Sequence, residues 1–294
     1  MKRTVIAAVV ILALFIMFIQ DVKAPGDYST VTAPGADSIK CMYYSQREFM
    51  SSIPASTGNI PQLKSIGGGI VPHHLLAGTM IASLFKALSQ QKPQAVIVIG
   101  PNHKGVGVKK INTGEWSWET PFGLLDSDKA IAASLMKGGK AGADKSLLEK
   151  EHSISSLVPY IEFYLPEARI VPVLLHGSVG KYEAEALGRK LGNIIKGRNY
   201  VIIASTDFSH YLTLEQADRK DEITRKAIEV SDISKISLMN NDYVDSPPSL
   251  IALLTAMKTA GTDKHYFMGH SNSARILRSS TTNTISYFTV LFHQ

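Results

Sequence analysis

At 294 residues, 45% hydrophobic and 19% charged, the chain is long enough for one large core or two small ones, and it carries no internal repeat. Its formal charge of +6 comes from 31 basic residues that are scattered and not interleaved with aromatics, which excludes a nucleic-acid footprint and leaves a mildly basic surface. A single cysteine, Cys41, excludes an intrachain disulfide and any cysteine-based zinc cluster, and nothing near it in the sequence would activate its thiol.

The chain opens with Lys2 and Arg3 before TVIAAVVILALFIMFIQ, an uninterrupted apolar run over residues 4–19. Such a run of roughly 16 residues is long for a signal-peptide core and slightly short of the roughly 17–25 that a spanning helix needs. Pro25 directly after the cleavage-like VKA disfavours a cut, so residues 1–20 read as an uncleaved membrane anchor, with a removed signal peptide as the alternative. With the positive flank held inside, the rest of the chain is expected to be extracytoplasmic, and a basic surface suits anionic lipid headgroups. Residues 21–38 are rich in Pro, Gly, Ser and Thr and read as a linker. Residues 39–294 are expected to form one domain, the first of them, to about 63, lying over its surface.

From Ile66 onward apolar runs alternate with helical patterns. GGGIV precedes the helical AGTMIASLFKALSQ, and QAVIVIG at 94–100 reads as a buried strand. GEWSWETPFG reads as a hairpin, with Trp116 and Trp118 on one of its faces or forming a lid. DKAIAASLMKGG and ISSLVPYIEFYL carry apolar residues at helical spacing. RIVPVLLHG at 169–177 reads as a strand, KYEAEALGRKLGNIIKG as a helix and YVIIAST at 200–206 as the next strand. The helices LEQADRKDEITRKAIEV and PPSLIALLTAMKTAG follow, and SYFTVLF closes the chain as a strand. This alternation predicts an α/β fold around a largely buried central sheet.

Three of these strands end in histidines: GGGIVPHH with His73 and His74, AVIVIGPNH with His103, and VIIASTDFSH with Asp207 and His210. Ligands of α/β sheets bind beyond the carboxyl ends of the strands, so the three segments are expected to bring their imidazoles to one crevice. Neutral imidazole ligates metals and moves protons near neutral pH. Two histidines and a carboxylate on one face leave open positions on a metal, the arrangement of non-haem iron(II) oxygenases. Asp207, Glu151, Asp242 and Asp245 are all candidates for the carboxylate.

VPHH, GPNH, EHSISSLVPYIEFYLP, RIVPVLLHG and STDFSHYL stand in the order and spacing of the Memo-like proteins, called AmmeMemoRadiSam system protein B in bacteria and archaea, and the chain resembles that family from about Ile66 to its end. The family is itself similar to the class III extradiol dioxygenases. The resemblance implies a three-layer αβα sandwich whose central sheet is mixed and largely parallel, and a non-haem metal pocket. It implies His73 and His103 as metal ligands and His210 as the acid/base. The third metal-facing position, cysteine in the animal member, falls on Asp245, which would restore a facial triad. Iron(II) is the implied metal, with copper or zinc as alternatives. The chain departs from the family pattern after the first histidine, where a small residue is usual and His74 stands here.

Two function classes follow from the resemblance. One is a metal-dependent oxidoreductase acting on a small molecule that the sequence does not identify. The other is a non-catalytic metal- or peptide-binding accessory protein, working with a radical-SAM partner. A metal-dependent hydrolase lacks support, since there is neither a phosphate-cradling glycine loop nor a nucleophile elbow. For the remaining polar residues local roles compete with the site. Glu151 and His152 either cap a helix or line the pocket, and Asp207 either orients a ligand histidine or caps a turn. Asp245 has the alternative of capping the PPSL helix. His176, His265, His270 and His293 read as solvated or structural, as do Arg275 and Arg278.

Overall fold

The computed structural model describes residues 37–55, 61–107, 109–279 and 283–294. In chain order its strands are β1 (Ser38–Lys40), β2 (Gly68–Val71), β3 (Ala95–Asn102), β4 (Ile111–Thr113), β5 (Ser117–Thr120) and β6 (Gly123–Leu125), then β7 (Gly142–Ala143), β8 (Arg169–His176), β9 (Tyr200–Ser205), β10 (His210–Leu212), β11 (Lys264–Asn272) and β12 (Thr284–His293). The main sheet runs β10-β12-β2-β9-β3-β8-β4-β7, and β11 also pairs with β12. β1, β5 and β6 form a small separate sheet.

β3 shows why the centre forms as it does. All eight of its residues are buried, and its apolar run is continuous rather than alternating, as expected of a strand covered on both faces. Val96 and Val98 pack into one apolar cluster with Ile81, Phe85 and Ile161, which lie on the helices Gly78–Ser89 and Val158–Tyr164. Ile97 and Ile99 enter a second cluster with Leu187, Leu191 and Leu253, on the helices Lys181–Ile195 and Pro247–Ala260. Helices therefore cover both faces of a mixed sheet. Its centre is parallel, where β2, β9, β3 and β8 run alike, and the edge strand β7 is parallel to β4. Towards one edge β12 pairs antiparallel with β2, β10 and β11, and towards the other β4 is antiparallel to β8.

The helices Lys181–Ile195 and Pro247–Ala260 meet at backbone distance. A Cβ added at Gly188 would lie 2.5 Å from the carbonyl oxygen of Ala252, and one at Gly192 would lie 2.6 Å from that of Ala256. The hairpin of β5 and β6 pairs Trp118 with Leu125. Trp118 is fully buried, so this hairpin supplies core rather than a lid. Residues expected to lie over the surface also enter the core, for Ile39 of β1 and Phe49 of the helix Gln46–Ala55 are both buried.

The expected N-terminal hydrophobic helix, residues 1–20, and nearly all of the linker lie outside the described residues. The placement of the domain on a membrane anchor outside the cytoplasm is corrected here: among the described residues no helix is long and apolar enough to cross a membrane. That expectation rested on an apolar run, its basic flank and Pro25, all outside the described residues.

Candidate metal centre

β2, β9 and β3 are adjacent and parallel. Their carboxyl ends therefore release the segments bearing His73, Asp207 with His210, and His103 side by side. A fourth segment arrives from the start of the Pro247–Ala260 helix. Phe208 bridges Val244 in antiparallel fashion, the N–H of Asp245 donates to the carbonyl of Asp207 at 3.1 Å, and the N–H of Asp207 donates to Asp245 Oδ2 at 3.1 Å. This reciprocal link turns the Asp245 carboxylate away from the helix end. Ser246 occupies the cap position without a side-chain cap bond, Pro247 begins the helix, and a proline there gives up no intrahelical donor.

The carboxylate faces both imidazoles. Asp245 Oδ2 is 3.3 Å from His73 Nε2 and 3.7 Å from His103 Nε2. Asp207 Oδ2 lies 3.4 Å from His73 Nε2, and its Oδ1 accepts the His73 N–H at 3.2 Å. Bonds of about 2.0–2.2 Å to one ion place neighbouring ligand atoms roughly 3–3.6 Å apart; His73 is spaced in that way from Asp207 and Asp245, His103 lies just beyond it from Asp245, and His73, His103 and His152 also bring ligand atoms close enough to share a cation. Asp242, another carboxylate candidate, is half-exposed and pairs with Lys220 at 3.7 Å.

Hydrogen bonds fix which ring nitrogens are free. His73 Nδ1 is 3.2 Å from Ser205 Oγ, whose own proton goes to the carbonyl of Ser153. Ser205 therefore accepts from Nδ1–H and leaves the Nε2 lone pair on the side of the carboxylates. His103 Nδ1 lies 2.8 Å from Glu151 Oε1, and the His103 N–H donates to Glu151 Oε2 at 2.9 Å. A carboxylate behind a histidine in this way fixes the tautomer and raises the basicity of the nitrogen in front.

Of the roles weighed for it, Glu151 takes the cap, and its second role is behind a cavity histidine and not on the cavity lining. It caps the short helix His152–Ser155 through the Ser153 N–H at 3.1 Å, and, fully buried, it orients His103. It also holds His152 Nδ1 at 3.2 Å. The His152 ring stacks on His103 with centroids 4.2 Å apart. Gly100 permits this approach, since a Cβ there would lie 2.7 Å from Ser153 Oγ. Nothing local in the sequence links Glu151 to His103, because the contact spans two elements; the GPNH and EHS motifs are where the signal lies.

The surroundings push the two histidines apart. Burial lowers the pKa of His73 from 6.5 to about 3, so it stays neutral. Burial also opposes charge on His103, but hydrogen bonds to Asp245 and Glu151 outweigh it and raise the pKa to about 9. Burial raises Asp207 above the usual carboxylate range, whereas the hydrogen bonds from His103 and His152 outweigh burial at Glu151 and lower it.

A cavity of about 900 Å³ opens over the cluster, lined by His73, His74, His103, His152, Asp207 and His210 among others. A second cavity of about 420 Å³ reaches His103 and Asp245 from another side. His210 thus lines the same cavity as His73 and His103, and its Nδ1 is buried without a protein partner. His74, adjacent to a candidate ligand, points elsewhere, its Nδ1 lying 2.6 Å from the Tyr287 hydroxyl.

A family model described as Memo-like protein matches residues 43–291. A MEMO1 family protein of Pyrobaculum arsenaticum is 30% identical over 236 residues, covering 77% of this chain and 83% of the relative. One from Aquifex aeolicus is 29% identical over 213 residues, covering 69% and 78%. Among solved structures, the uncharacterized protein JW3007 from Escherichia coli K12 superposes with a TM-score of 0.51 at 13% identity, over 77% of this chain and 99% of that one. At that identity the likeness concerns the fold alone.

Proposed function

The chain belongs to the Memo-like family, and on that premise we propose that it is a non-haem metal protein in which His73, His103 and Asp245 hold iron(II). The reading makes it an oxidoreductase of the extradiol-dioxygenase-like kind, built as a three-layer αβα sandwich, acting on a small organic substrate in the 900 Å³ cavity. The observation that carries it is the Asp245 carboxylate facing the Nε2 atoms of both histidines. Two imidazoles and a carboxylate suit iron(II) better than an all-imidazole set, which would favour copper or zinc.

When bound, iron(II) would supply open coordination positions and redox chemistry toward dioxygen. The chain's own residues do the rest. Ser205 and Glu151 hold the two rings in the ligating tautomer. Asp207 lies against His73 Nε2 as a fourth donor or as acceptor from a bound water. His210 is the acid/base, because it lines the cavity beside His73 and His103. Burial of His73 and Asp207 keeps bulk water from that side of the site.

The test is metal analysis of protein loaded separately with iron(II), zinc and copper, beside His103→Ala, followed by oxygen uptake with a panel of catechols. One ion per wild-type chain that is lost in the variant supports the centre, and oxygen uptake supports the oxidoreductase. Equal metal content in both proteins would overturn the centre. Retained metal without uptake would leave a metal-binding protein that does not turn over.

A further inference from the structure

His210 and Tyr211 are consecutive residues of β10, and both line the 900 Å³ cavity. In a regular strand neighbouring side chains point to opposite faces, so the backbone must depart from regularity here. It does so between His210 and Leu212. His210 pairs with Ile285 and Leu212 with Thr284, two steps on β10 against one on β12, which makes Tyr211 the extra residue of a β-bulge. Its φ is +59°, in the left-handed region where a Cβ is penalised and glycine is the usual occupant. The other non-glycine residues with positive φ among the described ones are serine, lysine or arginine, and Tyr211 alone is aromatic.

The fold gains little from this arrangement. The Tyr211 side chain is 68% exposed, so it fills no core. Because it lines the cavity all the same, it stands at the mouth. Its ring lies against that of His210, with centroids 5.7 Å apart and planes at 61°. An unfavourable φ that holds an exposed aromatic at the mouth of a candidate site points to what the side chain meets there. An aromatic face takes either a flat ring or a cation. The cavity wall carries five imidazoles against two carboxylates, Glu48 and Asp207, on a chain of net charge +6. That balance disfavours a cation, and Leu75, Leu76 and Ile285 add apolar wall suited to a ring.

We propose that Tyr211 is a specificity-determining residue of the cavity, which stacks on a flat, unsaturated ring of the ligand. The bulge presents it there, on the same side as His210. The inference rests on the reading above only in placing a small organic ligand in this cavity, and it holds whichever metal the centre takes.

The test titrates catechol, with trans-1,2-cyclohexanediol as its saturated control, into zinc-loaded and into metal-free protein by calorimetry. A failure to take up zinc would count against the metal centre alone, since the metal-free titration still reads the ring contact. Tyr211→Phe is expected to keep the catechol affinity within about twofold. Tyr211→Leu should weaken it by about three- to tenfold, the worth of one aromatic pair, and leave the saturated diol within about twofold. The ring protons of bound catechol should lie upfield in the wild type and in Tyr211→Phe, and less so in Tyr211→Leu. Tyr211→Gly separates a ligand contact from a structural one, because glycine suits the bulge. Its urea midpoint is expected to rise while its catechol affinity falls as in Tyr211→Leu, whereas a tyrosine kept for the fold would lower the midpoint when removed. Equal catechol affinity in the wild type and Tyr211→Leu, no binding of catechol to either form of the wild type, or a lowered midpoint in Tyr211→Gly would overturn the proposal.

Discussion

Among the described residues two clusters of histidine and carboxylate come close enough to surround a cation, and they differ in what their atoms still have to do. In one, Asp218, Asp221 and His270 are close enough to surround a cation. Yet Asp218 is gripped by both terminal nitrogens of Arg275 at 2.8 and 2.7 Å, and buried Asp221 accepts from Ser209 Oγ at 2.7 Å and contacts His270 Nε2 at 2.8 Å. In the other, the supporting bonds come from behind, through Ser205 and Glu151, and the Nε2 atoms of His73 and His103 face Asp245, with the His152 ring packed beside them. Asp245 Oδ1 is buried with no partner at all. Residue types alone do not separate the two; the direction of the hydrogen bonds does. A structural cluster spends its donors and acceptors internally, whereas a candidate ligand set keeps lone pairs on one side.

The comparison can be broken most directly by removing ligands. Asp245→Ala or His103→Ala is expected to lower metal affinity by more than about a hundredfold, measured by competition with a chelating dye, whereas Asp221→Asn should leave it unchanged. Metal binding equally weakened by Asp221→Asn would mean that the second cluster is the centre. Glu151→Gln tests the support behind His103, and it should cost about 10–100-fold in metal affinity, the usual range for a group that orients a ligand histidine.

The pH dependence of the metal-free protein sharpens the contrast within the first cluster. The pKa of His73 falls from 6.5 to about 3 on folding, so its contribution to stability is present above about pH 6.5 and is lost as pH falls toward 3. That of His103 rises from 6.5 to about 9, so its contribution is full below about pH 6.5 and is lost as pH rises through 9. Urea midpoints are therefore expected to fall on both the acid and the alkaline side, and His103→Gln should flatten the alkaline limb alone. Because His103 holds a proton at neutral pH, metal binding at pH 7.5 should release about one proton, read from calorimetry in buffers of different ionisation heat. The smallest expected effect is in the second cluster, where Asp221→Asn should destabilise the fold by about 1–3 kcal/mol by weakening a buried network.

The central strands were legible because each holds a short apolar run rich in valine and isoleucine: β3, β8 and β9 could be read as buried strands with little error at their ends. β11 was not, since its KHYFMGHSN mixes polar, glycine and aromatic residues with no clear period. β4, β7 and β10 span only two or three residues and leave no pattern to find. At the site, strand-end imidazoles announced a common crevice, and the adjacency of β2, β9 and β3 is what realises it. The carboxylates were harder. Asp245 came from a resemblance and not from any local rule, because its position depends on a bridge between Phe208 and Val244. Asp207 was weighed as a partner of a ligand histidine, but Glu151 was not paired with His103, for a contact across 48 residues is made by tertiary packing.

The contact of Gly188 and Gly192 with the facing helix has a consequence far from itself. That helix carries Asp245 at its leading end, so the groove between the two rods acts as the seat of a lever. A valine at 188 would force them apart by something on the order of a methyl radius, and ligand geometry tolerates about 0.2 Å. On the proposed reading such a variant should lose metal affinity before it loses its fold, which makes a glycine with no chemistry of its own a guardian of the proposed centre.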